Sequence, residues 1–69
     1  MNFTLRDKGE ILATIVDKHV TCDDKKLREC LEALIMNNKL SKFPPHIDKD
    51  KMLIDTLKGF AFANGYELV

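Results

Sequence analysis

The segment Ile47 to Tyr66, IDKDKMLIDTLKGFAFANGY, constrains the fold more than any other stretch, because it spells out one helix from start to stop. Asp48 is a strong N-cap residue, with a carboxylate able to accept from the unpaired N–H groups of the first turn. Ile47 before it and Met52 after it have the spacing of a hydrophobic staple. Leu53, Ile54, Leu57, Phe60 and Ala61 then recur on one face at helical period. Asn64-Gly65 ends the helix, since glycine takes the left-handed conformation freely, and Tyr66 falls where the chain folds back on the last turn.

Such a helix is not stable alone, so the remaining chain must cover its apolar face. The 69 residues make one domain, residues 1–69. A chain of this size buries only about 60% of the surface it exposes when unfolded. Two cysteines, Cys22 and Cys30, are no disulfide framework. On one helix they would stand roughly 12 Å apart, beyond the ~7 Å that a disulfide spans. Reduced thiols fit a cytoplasmic location. Self-association into a homo-oligomer is the expected source of the missing burial.

Upstream, Thr4-Leu5-Arg6-Asp7 has the capping-box pattern. Leu5, Leu12, Ile15, Val16 and Val20 follow at helical spacing, which predicts a first helix. Gly9 would cost that helix roughly 1 kcal/mol relative to alanine. Thr21-Cys22-Asp23-Asp24 repeats the cap and predicts a second helix from about Cys22. Its buried stripe would be Leu27, Cys30, Leu31, Leu34 and Ile35, and it would stop at Asn37-Asn38. Pro44-Pro45 marks a loop, with Phe43 folded onto the core. Tyr66 to Val69 alternates and is able to pair with Phe3 to Leu5. The expected fold is therefore all-α, a small three-helix bundle with an optional two-strand ribbon formed by the chain ends.

Eleven basic and eleven acidic residues give zero net charge, and the signs alternate locally. Such mixing solvates helix faces. A nucleic-acid binder is expected to carry a basic excess, because phosphate contacts dominate its affinity. No apolar run reaches the ~18 residues of a membrane span, so no membrane association is expected. MNFTLRDKGE lacks the apolar core of an export signal.

Catalytic and metal chemistry find little support. His19, Cys22, Cys30 and His46 are the only ligand-type set, and their spacing lacks the paired knuckles of a zinc site. Cys22 at a helix start with His19 nearby is the one nucleophile–base pairing, but Asp23 and Asp24 oppose thiolate formation. Gly9, Gly59 and Gly65 are too scattered for a phosphate loop. No catalytic residue, metal or cofactor is expected.

Two surface sets remain. On the Ile47–Tyr66 helix, Lys51, Asp55, Lys58 and Phe62 share a face opposite the apolar stripe. An aromatic ringed by charges resembles an interface anchor with a polar rim. On the second helix, Ala33, Met36 and Leu40 lie off the stripe, and Met36 suits an adaptable contact. The function expected is that of a non-enzymatic protein-interaction module, a small regulator or inhibitor that binds a protein partner and self-associates. The alternative is a DNA-binding transcriptional regulator that reads through the second helix.

Overall fold

The computed structural model describes all of residues 1–69. It has three strands, two helices and a final short strand: β1 (Asn2–Asp7), β2 (Glu10–Val16), β3 (His19–Cys22), α1 (Lys25–Leu40), α2 (Lys49–Ala63) and β4 (Glu67–Leu68). The strands form one antiparallel sheet in the order β3-β2-β1-β4. The fold is α+β, which overturns the expected three-helix bundle.

The error lies in the first twenty residues. No helix spans Leu5 to Val20; this stretch is a β-meander. Lys8-Gly9 and Asp17-Lys18 are two-residue turns with positive φ throughout, 53° and 83° in the first, 49° and 70° in the second. That is the hairpin turn whose twist matches the flanking strands. The segments between are rich in β-branched residues: Thr14, Ile15 and Val16 in β2, Val20 and Thr21 in β3. Their stiff side chains suit a pleated surface better than a helix. The helical spacing of Leu5, Leu12, Ile15, Val16 and Val20 is coincidental. Ile15 is buried, whereas Val16 points away and is half exposed.

Register explains which side chains meet. Phe3 pairs with Ile15, Leu5 with Ala13, Ala13 with Cys22 and Leu5 with Leu68. These residues share one face of the sheet, where Leu5, Ala13, Ile15 and Cys22 are buried. Between Leu5 and Arg6 the register slips, so Ile11 faces Arg6 and Ala13 faces Leu5, leaving Leu12 as the extra residue of a bulge. On the opposite face, Thr4 pairs with Thr14 and Thr14 with Thr21. No helix covers this threonine row, an ordinary arrangement for one side of an antiparallel sheet.

α1 starts three residues later than expected. Asp24, not Thr21, is its N-cap and accepts from the Leu27 N–H at 3.1 Å. It also runs through Asn37-Asn38 to Leu40, where the Ser41 N–H donates to the carbonyls of Asn37 and Asn38. Asn38 is buried and its Nδ2 donates to the Lys49 carbonyl at 3.1 Å. The Lys49 ammonium in turn donates to the Lys39 carbonyl at 3.1 Å. The expected helix stop is thus a clasp between the two helices. Leu31 and Ile35 face the sheet, while Cys30, assigned to the buried stripe by spacing, is exposed.

α2 follows its sequence signals. Asp48 accepts from the N–H groups of Asp50 and Lys51. Leu53, Leu57 and Ala61 are buried. At the stop, the Tyr66 N–H donates to the Ala61 carbonyl and the Gly65 N–H to that of Phe62, with Gly65 at φ 70°. These are the two bonds of a Schellman motif. The reversal packs Tyr66 against Phe60 with the rings tilted, centroids 6.4 Å apart, and delivers β4 to the free side of β1. Thr4 and Val69 exchange both backbone bonds, at 2.8 and 2.9 Å. The chain ends therefore do pair, as one margin of a four-stranded sheet rather than an isolated ribbon.

Candidate interaction surfaces

On α2 the intervals Lys51, Asp55, Lys58 and Phe62 advance by four, three and four residues, so their side chains stack along one helix face. All four are exposed, and Phe62 is 88% accessible. The buried stripe explains why. Leu53, Leu57 and Ala61 turn toward the sheet, and Phe62 stands a further 100° around the helix from Ala61. The chain end does not cover it, because the Schellman turn carries Tyr66 to the Phe60 side.

The α1 set is also exposed. Met36 is half accessible, Leu40 is 72% accessible, and Ala33 is open to solvent. Met36 lies at the lip of a cleft of about 350 Å³ between the β2–β3 turn and α1. Lys18, His19, Glu32, Ile35 and Lys39 contribute to its walls. The Lys18 ammonium also reaches Asp50 at the start of α2, at 3.3 Å.

The structure does not join the two sets. Leu40 ends α1 beside the start of α2, as the Lys39–Lys49 bond shows. Phe62 is thirteen residues along α2 from Lys49, roughly 20 Å at 1.5 Å per residue. Each set is a separate face.

The ligand-type residues are likewise dispersed. His19 and Cys22 lie three apart on β3, so they project to opposite faces of the sheet. His19 is exposed, and Cys22 is buried with its Sγ 3.4 Å from the Asp24 carbonyl. The imidazole and the thiol that spacing on a helix would have juxtaposed are therefore on different sides of the sheet. No three His, Cys, Asp or Glu side chains converge as a metal site would require. No helix is long and apolar enough to cross a membrane.

One feature escaped the sequence reading, the outer edge of β3. It depends on recognising His19–Cys22 as a strand, and the signal was the β-branched run on either side of Asp17-Lys18. No protein-family model matches this chain, and no curated protein or solved structure matches it at a significant level.

Proposed function

We propose that this chain is a non-enzymatic protein-interaction module, a small regulator or inhibitor that docks on a protein partner through the outer face of α2 and also self-associates. The observation that carries this reading is Phe62, 88% exposed and flanked along the helix by Lys51, Asp55 and Lys58. Full burial of such a side chain in a partner's pocket contributes about 1.5–3 kcal/mol. The lysines and aspartate around it would form the solvated rim. Zero net charge gives no long-range attraction to a polyanion, so affinity has to come from local contact.

The surface area supports self-association. The chain exposes 5083 Å², against about 4,400 Å² for a compact monomer of 7.9 kDa. The excess of about 700 Å² goes with the elongated shape, 38 × 19 × 19 Å, and leaves apolar side chains such as Met36, Leu40 and Phe62 uncovered for a second copy to bury.

The test is a matched capture from lysate of the source cells, with native protein and Phe62→Asp as parallel baits and circular dichroism confirming that both fold. The expected result is a defined partner held by the native bait and lost by Phe62→Asp. Identical captures would remove the α2 face from the function. A DNA duplex bound equally by both baits, and released as salt rises, would transfer the function to the nucleic-acid alternative.

A further inference from the structure

The self-association half of the proposed function leaves open which surface mates, and the sheet supplies one. We propose that two copies pair antiparallel through β3, with Thr21 on the twofold axis, joining two four-stranded sheets into one of eight strands.

The outer edge of β3 has the necessary unpaired groups. In a two-residue hairpin the residues flanking the turn, Val16 and His19, exchange ladder bonds, and so do Thr14 and Thr21 two positions on. Val20 and Cys22 alternate with them and turn their N–H and C=O outward. Neither residue makes a backbone bond in a turn, loop or cap. Apart from its shortness, this edge lacks the usual protection: no proline, charge or bulge lies between Lys18 and Asp23. The opposite edge of the sheet, β4, is only two residues long.

Hydrogen bonding selects the register. Three twofold registers keep the inner faces aligned, with Val20, Thr21 or Cys22 on the axis. Only Thr21 on the axis sets both outward-turned residues, Val20 and Cys22, against partners that themselves lie within His19–Cys22. Antiparallel pairing also brings Lys18, at one end of the strand, toward Asp23 and Asp24 at the far end of the second copy's strand. In this register Val20 and Cys22 of the two copies exchange four N–H···O=C bonds. The threonine row Thr4–Thr14–Thr21, half-buried at Thr4 and Thr14 and exposed at Thr21, continues directly into Thr21–Thr14–Thr4 of the second copy. The cleft at the β2–β3 turn lies at the end of this edge, so the acidic Asp23 and Asp24 of the second copy approach its Lys18 and Lys39. The α2 face with Phe62 stays outside the contact.

The experiment uses the full chain with exposed Cys30 changed to serine. Residues facing each other across the axis without mutual hydrogen bonds have Cα atoms about 4.5 Å apart, within disulfide range. Thr21→Cys should therefore give a covalent dimer under mild oxidation, whereas His19→Cys, which faces Asp23 rather than itself, should not. Thr21→Lys, changing an exposed residue, should raise the dimer dissociation constant on the order of tenfold or more, with an unchanged circular dichroism spectrum. A dimer by light scattering that Thr21→Lys leaves intact and Thr21→Cys fails to link would overturn edge pairing while sparing self-association. A native protein that stays monomeric at high micromolar concentration would overturn both. Equal linking by the two cysteine variants would overturn the register.

Discussion

Replacing Gly9 with alanine distinguishes hairpin from helix by the sign of its effect. In an exposed helix interior, glycine to alanine stabilises by about 1 kcal/mol. In the hairpin, Gly9 holds φ +83°, where a Cβ costs about 1–2 kcal/mol. Alanine returns about 0.4–1 kcal/mol by restricting the unfolded chain. No heavy atom lies within 4 Å of the position a Cβ would take, so no clash adds to the backbone cost. The net expectation from the mid-range values is destabilisation of about 0.8 kcal/mol. Gly59 is the internal control. It sits within α2, and its Cβ would also enter open space, so Gly59→Ala should stabilise by about 0.5–1 kcal/mol. At roughly 4–8 °C per kcal/mol for a domain this small, the two variants should move Tm in opposite directions by a few degrees or more. Far-UV circular dichroism melts at one fixed protein concentration provide the assay, since association makes Tm concentration-dependent. If Gly59→Ala melts higher and Gly9→Ala does too, the turn at Lys8-Gly9 is refuted.

Two further outcomes follow from local geometry. Asp48→Ala removes a cap that serves two N–H groups and should cost about 1 kcal/mol in urea unfolding, with Asp48→Ser recovering most of it. In thiol labelling, Cys30 should react at the rate of an exposed cysteine, while Cys22, 7% accessible, should wait for unfolding; two fast thiols would contradict the burial of β3 against α1.

The helix Lys49–Ala63 was legible because its signals are local. Asp48, Leu53–Leu57–Ala61 and Asn64-Gly65 each act within one or two turns of the backbone they control. The meander was not, because its decisive facts are pairings between strands. Thr4-Leu5-Arg6-Asp7 satisfies the letter of a capping box, yet Thr4 bonds to Val69, nearly the whole chain away. Lys8-Gly9 and Asp17-Lys18 lack the Asn-Gly or Asp-Gly dipeptide that most plainly marks a hairpin. At Asn38 tertiary packing prevailed over a local tendency: the clasp to Lys49 rewards continuing the helix where asparagine alone suggests stopping. The same division holds for the surfaces. Exposure of Phe62 could be read from helical phase alone, and the free edge of β3 required knowing that β3 exists.

The exchange of bonds between Thr4 and Val69 has a kinetic consequence. The β-meander and the pair of helices each close short loops, whose entropic cost is small. Docking β4 on β1 closes a loop of almost the full chain, and pairings of that separation form late when folding is governed by topology. The two halves should therefore assemble separately and lock together in the final step. Hydrogen exchange should see the reverse order in the native state, with the amides of β4 opening first. Each such opening would briefly leave β1 with a bare margin of its own, beside the buried Leu5, until the C-terminal strand returns.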